Sequence, residues 1–521
     1  MKVAPACPNA RPSLTGGMAR GALDAPGNAP ALSRRSALAL ALTGPWLGGA
    51  GPARAGSPGQ DEPPPPQPQR PLELPGIDSF ALPNGLAVVL VQRPALPVVT
   101  LRLLVRAGPE ADPPGRPGVA AMTVALWSKG ARRGGKLVPA ATLARQAEAL
   151  GSGLDTESGW GASSVSLTVT RPRVADALSL MADVMRHPVL APDELERARA
   201  QALDGWRVTL GSPGEVAGRV LRRAFWGDVP HGQVAQAAAL RRLRRDDLLA
   251  FQARWVRPDH AVLVLVGDLD AGPARARARR WLGDWAAPAL DLPQALVAAP
   301  RPLGAPLVLV DMPGSGQSGV AVAAPYIGSG AAERPQRYAG LVAQAVLGGG
   351  YSARLNQEVR IRRGLSYGAG GSAESFAGGG MFSAHASTAH ATAAEVLALL
   401  RGEIVRLADA PPGADELAAR QATLVGSFAG RLETSGGLAA LLAGQLAQGR
   451  PLADLQAYVP GVLAVTPDQV QAFARAHWTG PALRAVVVGD LAAAGAGLAA
   501  LAPEALRLPL GELNLESDKL R

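Results

Sequence analysis

A long internal repeat constrains this chain more than any other feature. Asp193-Glu194-Leu195 recurs as Asp415-Glu416-Leu417, Asp246 as Asp468, Phe251 as Phe473 and Gly267-Asp268-Leu269 as Gly489-Asp490-Leu491, each at a spacing of 222 residues. Trp255 and Trp478 slip by one residue, and the slip is recovered before the Gly-Asp pair. A constant spacing over these landmarks predicts two homologous domains, 77–288 and 305–510, joined by a Pro-rich linker at 289–304 and followed by a tail at 511–521. Each repeat begins with strands, continues with helices and closes on a strand. Residues 80–91 read as a hairpin around Pro83-Asn84-Gly85, Val98–Val105 as a strand with Arg102 outward, and 165–170 as another strand. Residues 174–185 and 193–206 read as helices, the second opening on acidic residues that suit the positive end of its dipole, and 261–266 as the closing strand. The fold class expected is α+β, with two homologous domains, each an antiparallel-rich sheet packed with helices.

With 48% hydrophobic and 18% charged residues, the 521-residue chain is excluded from the wholly disordered class. Its net charge of +10 is misleading, because half of it sits in the first 55 residues, where Lys2, Arg11, Arg20, Arg34, Arg35 and Arg54 face Asp24 alone. The remainder is too dilute for the basic stripe of a nucleic-acid binder. Cys7 is the only cysteine, which excludes an intramolecular disulfide and a cysteine-based zinc site. Ser33-Arg34-Arg35-Ser36, the apolar run 37–50 and Ala53-Arg54-Ala55 read as a cleaved bacterial export signal, residues 1–55, of twin-arginine type; the general secretory route could read the same segment. The apolar run is shorter than the ~20 residues that span a bilayer. The mature protein is expected to start near Gly56, to be periplasmic and not to be an integral membrane protein. Residues 56–76, rich in proline from Pro63 to Pro75, read as an extended tether.

Several segments in order carry a resemblance: Leu82-Pro83-Asn84-Gly85-Leu86, Pro117-Gly118-Val119-Ala120, Lys129-Gly130, Asp311-Met312-Pro313-Gly314-Ser315-Gly316-Gln317-Ser318, Gly348 through Leu355, and Glu358-Val359-Arg360 through Leu365-Ser366-Tyr367. Together they resemble the insulinase, or pitrilysin, family of zinc metallopeptidases (inverzincins), and in particular the non-catalytic subunits of bacterial two-subunit and mitochondrial-processing-peptidase-like members. The resemblance implies an H-x-x-E-H helix after Gly118, whose two His hold zinc while the Glu takes a proton from metal-bound water, and a further Glu on a downstream helix. Those positions are Ala121, Val124 and Ala125, with the downstream ligand falling near Gly205 beside Asp204. The resemblance therefore implies no catalytic residue and no metal in this chain. Helix 119–127 itself reads as apolar nearly all round, a buried element.

No other cluster replaces the missing ligands. Of the six histidines only His385 and His390 are close in sequence, and five apart on one strand they would point to opposite faces. In the second repeat, residues 352–362 read as a helix with Ser352 as N-cap, Arg363-Gly364 ends it and 365–372 is a strand, so Arg360 and Tyr367 can approach across the glycine bend. The resemblance implies that this pair lines a substrate chamber and donates hydrogen bonds to peptide carbonyls and to the oxyanion. The expected function is a non-catalytic, substrate-binding subunit of an exported heterodimeric zinc metallopeptidase, which closes the chamber and contributes Arg360 and Tyr367. The zinc would belong to a homologous partner subunit, and the substrate would be a peptide or an unfolded polypeptide. The alternative is an inert scaffold or peptide-binding protein of the cell envelope with the same fold, using the Gly-rich strands between Gly368 and Gly380.

Overall fold

The computed structural model describes residues 73–291, 297–501, 503 and 505–521. The expected export signal with Cys7, residues 56–72 of the tether and residues 292–296 of the linker lie outside the described residues.

The first sheet is built from β1 (Ile77–Ala81), β2 (Ala87–Gln92), β3 (Val98–Val105), β4 (Asp155–Gly159), β5 (Ala162–Thr170) and β6 (Ala261–Gly267). The hairpin turn falls where the sequence puts it: Ala81 opposes Ala87, and Gly85 takes a left-handed φ of 89°. The second sheet contains β7 (Leu307–Asp311), β8 (Ser318–Tyr326), β9 (Ala369–Phe376), β10 (Gly379–Thr388), β11 (Arg484–Gly489) and β12 (Leu506–Pro509). Strand orders are β1-β2-β6-β3-β5-β4 and β12-β7-β11-β8-β10-β9, so the two sheets repeat one topology. The outermost strand differs, since β1 precedes its sheet antiparallel to β2 whereas β12 comes from the chain's end and runs parallel to β7. Only the β2–β6, β7–β11 and β7–β12 pairs are parallel, which leaves both sheets rich in antiparallel pairing.

Helices cover both faces of each sheet, and this is why β6 and β11 read as unbroken apolar runs rather than alternating ones. On one face of the first sheet Leu101, Leu103, Leu263 and Leu265 pack against α2 (Val174–Arg186). The corresponding face of the second sheet, with Val320, Val322, Phe382 and Val487, packs against α8 (Ala393–Asp409). The other faces are covered crosswise. α4 (Pro213–Trp226), from the first repeat, lays Val216, Val220, Phe225 and Trp226 on Val308, Ala321, Ala323, Val486 and Val488 of the second sheet. α10 (Ser435–Ala447), its counterpart 222 residues later, lays Leu438, Leu441 and Leu442 on Val89, Leu104, Val262 and Val264 of the first. Phe225 and Trp226 are fully buried by the exchange, and burial of one such side chain is worth roughly 1.5–3 kcal/mol.

The segment 511–521, expected as a tail, is part of this packing. Leu515 and Leu520 are buried against α4, the Asp518 carboxylate pairs with Arg223 at 2.6 Å, and Gln236 donates to Asn514 at 2.9 Å.

Candidate functional site

The helix expected to carry a zinc motif is α1 (Val119–Trp127). Its start is fixed by Gly118, which takes a left-handed φ of 103°, and by Asp112, whose carboxylate accepts from the amides of Gly118 at 2.6 Å and Ala120 at 2.7 Å. Burial pushes the Asp112 carboxyl up to about 7, opposed by those two amides and reinforced by nearby Glu110. The expectation of an all-round buried helix needs correction: Ala121 and Ala125 are exposed, one turn apart on a single open face, whereas Val124 is 2% exposed and belongs to the core under the first sheet. Counting apolar residues missed this because alanine is as compatible with solvent as with a core. On α3 (Pro192–Leu210), a Cβ added at Gly205 would meet open space, and the neighbouring Asp204 pairs with Arg207 at 2.6 Å. Ala121, Val124, Ala125 and Gly205 supply no donor atom for zinc, and among the described residues no group of His, Cys, Asp and Glu side chains could hold a metal. The residues present do not fit the ion, so no step of chemistry is assigned to it here.

The histidine pair also resolves differently. His385 sits on β10 and is exposed, but His390 lies beyond the strand in a single turn of 3-10 helix. Its Nδ1 is 2.8 Å from the Ser318 hydroxyl, and its Nε2 is 2.7 Å from the Ser315 carbonyl, which secures the loop before β8.

The second repeat keeps a built polar site, reached by a different local path from the one expected. Ser352 is not the N-cap; that position is Ala353, and the Ser352 hydroxyl instead accepts from Arg420. The short helical run Arg354–Asn356 passes directly into a π-helical turn, Gln357–Ile361, a local widening that is frequent where a side chain must be re-aimed. Gly364 at φ 66° ends it, with its amide donating to the Arg360 carbonyl and that of Leu365 to Val359, both at 2.9 Å. The following strand starts at Ala369 rather than 365, so Tyr367 lies in a bend, not in a strand. Asn356 splints the two sides, donating to the Tyr351 carbonyl at 2.6 Å and accepting from the Ala369 amide at 3.1 Å.

This scaffold does bring Arg360 and Tyr367 together. The guanidinium carbon stands 4.9 Å from the Tyr367 ring centroid and 5.1 Å from that of Tyr351, a third member that the sequence contained in the Gly349-Gly350-Tyr351 loop but gave no periodic signal for. Tyr367 is 90% exposed and Tyr351 65%, which rules out a packing role for either ring. Among the described residues Arg360 has no carboxylate partner, in contrast to Arg362 and Arg363, which both pair with the buried Glu358, and to Arg354, held by Glu416 through two contacts of 2.8 Å. Two aromatic faces hold the guanidinium while its N–H groups stay available. The site lies at the head of β9, the edge strand of the second sheet, whose close approach to α7 (Arg337–Gly348) demands glycine: a Cβ on Gly348 would stand 2.3 Å from the Gly371 nitrogen.

The described residues thus form two homologous halves, one with a bare helix face on α1 and one with an aromatic-held arginine beside β9. Residues 87–230 match the family model described as Insulinase (Peptidase family M16) and residues 242–424 the one described as Peptidase M16 inactive domain, and the chain belongs to this family. It is similar to a Streptomyces coelicolor protein named as an uncharacterized zinc protease, 25% identical over 410 residues that cover 76% of this chain and 85% of the relative. Among solved structures, the peptidase M16 inactive domain from Pseudomonas fluorescens superimposes with a TM-score of 0.72 at 25% identity, over 79% of this chain and 98% of that one. A protease from Helicobacter pylori also gives 0.72, at 19% identity over 80% of this chain and its own full length, and shares the fold.

Proposed function

We propose that this chain is the non-catalytic, substrate-binding subunit of an exported heterodimeric zinc metallopeptidase. A homologous partner carries the zinc, the general base and the water, and this chain closes the chamber and offers Arg360, assisted by Tyr351 and Tyr367, to the substrate's peptide carbonyls. The observation that carries the reading is the arginine held by two exposed tyrosine rings with no carboxylate among the described residues to neutralise it. A half-buried guanidinium in that state has donors ready for carbonyl oxygens and loses little freedom on binding. The adjacent edge of β9 supports it, since an extended peptide can pair with such an edge and run past the arginine. The export signal read at 1–55 supports a periplasmic complex, with a peptide or unfolded polypeptide as substrate.

The test is co-expression with an exported relative that has an intact zinc motif. The two chains are expected to co-purify, and the pair to cleave unfolded polypeptides while this chain alone binds no stoichiometric zinc and cleaves none. About one tightly bound zinc per isolated chain, or full activity of the partner without this chain, overturns the reading.

A further inference from the structure

A cavity lined by four arginines, none of them Arg360, lies where the repeats meet. Its volume is about 850 Å³, and it is bounded by α7, β9, α9 (Ala414–Leu432) and α10, with the exchanged helix α4 contributing Arg222. Its charges do not balance. Arg222 is taken by Glu374, and Arg337 donates to Asp454 at 3.0 Å. Arg431 and Arg450 also line the cavity, and among the described residues neither side chain has an ion pair or a hydrogen bond. Arg450 is half-buried, and burial, together with the Arg337 charge, pushes it down to about 10 against the weaker opposing pull of Tyr326, Asp454 and Tyr338. Gln445 lines the same space at 8% exposure, and its Oε1 is buried without a partner; a half-turn of the amide would present N–H donors there instead. A desolvated, unpaired cation beside an unsatisfied amide is costly in a structure that has nothing to gain from it.

We propose that this cavity binds a multiply charged oxyanion, which Arg450 and Arg431 clamp and Gln445 hydrogen-bonds. Either the carboxylates of an acidic polypeptide segment or a free polyphosphate would present that chemistry. The cavity shares no residue with the Arg360, Tyr351 and Tyr367 set, so its failure leaves the proposed subunit role untouched.

The experiment is thermal unfolding of the purified full-length mature chain at fixed ionic strength, with pyrophosphate in one arm and a glutamate hexapeptide in the other. Wild type is expected to show a saturable rise in Tm with at least one probe, pyrophosphate alone indicating the free anion and the hexapeptide alone an acidic segment. Arg450→Met is expected to keep or raise the ligand-free Tm, because it removes an unpaired, half-buried charge, and to weaken the probe at least about tenfold. Arg431→Gln, at an exposed position, is expected to weaken the probe several-fold with Tm unchanged. An Arg450→Met variant that melts lower, as a structural arginine would require, overturns the proposal. So does a full probe response in both variants, or the absence of a saturable shift with either probe up to about 10 mM.

Discussion

The two repeats kept the same strand order and the same crosswise helix, yet their functional faces have diverged in opposite directions. On α1 of the first, the exposed positions 121 and 125 carry only methyl groups, and position 124 has been absorbed into the core. At the head of β9 in the second, a π turn, a glycine bend and an asparagine splint are all devoted to presenting one arginine between two rings. The first face needs no support structure, because a helix face of alanines is stable on its own. At the second, Arg360 has no carboxylate partner among the described residues and keeps its N–H groups free beside the two rings.

The sharpest way to break this comparison is at Tyr367 and Arg360. In the assembled pair, Tyr367→Phe is expected to lower kcat by about 10²–10³ if its hydroxyl faces the developing oxyanion, and Arg360→Ala to act mainly through KM. Melting temperatures should hardly move, since Tyr367 stands in solvent and the half-buried Arg360 makes no ion pair among the described residues. Unchanged kinetics with both variants would make the second repeat as silent as the first.

The first repeat answers to Val124→Glu, which puts a carboxylate into a core position and should cost about 3 kcal/mol, visible as a lowered midpoint in urea. Ala121→His and Ala125→His, on the open face, should stay within about 0.5 kcal/mol of wild type. If all three cost alike, α1 is not divided into a buried and an open side as described.

The seam between the repeats is sensitive to pH. His231, in the first, stacks on Phe376 of the second with centroids 4.2 Å apart, and burial, helped by Arg222, pushes its imidazole down to about 4. The folded state therefore refuses a proton that the unfolded chain accepts below about 6.5. Stability is expected to fall as pH drops from about 6.5 towards 4, by on the order of 2–3 kcal/mol, and to level off below that. His231→Phe, which preserves stacking, should remove that component of the slope; an unaltered pH profile would show that His231 titrates normally. A smaller effect than at Val124 or His231 is expected at Gly364, where alanine in a left-handed conformation should cost about 1 kcal/mol and loosen the bend that holds Arg360 near Tyr367.

Much of the backbone was legible because local signals agreed with the fold. Pro83-Asn84-Gly85 marked a turn, Val98–Val105 a strand, and Asp193-Glu194 lay in the first turn of a helix. The repeat spacing anticipated two copies of one topology. What escaped is what local patterns do not encode. An apolar stripe on α4 or α10 says that a face will be buried, not that its sheet belongs to the other repeat. Residues 365–368 looked extended enough to start a strand, but β10, the neighbour that defines β9, begins to pair only at Ala369. Tyr351 had no partner in sequence, because the contact that matters is across a turn to Arg360.

The crossed helices also dictate the order in which this molecule can be made. While only the first repeat has been synthesised, Val89, Leu104, Val262 and Val264 have no cover, and the apolar face of α4 has no sheet to lie on, until the chain reaches α10 some two hundred residues later. Contacts of such separation close late and slowly. A nascent first repeat can therefore close the core on its α2 side from its own residues, but its other face stays bare until α10 follows. A cut in the connector after folding would leave two fragments clasped together, whereas the same two fragments made separately would each have to find the other before either could finish folding.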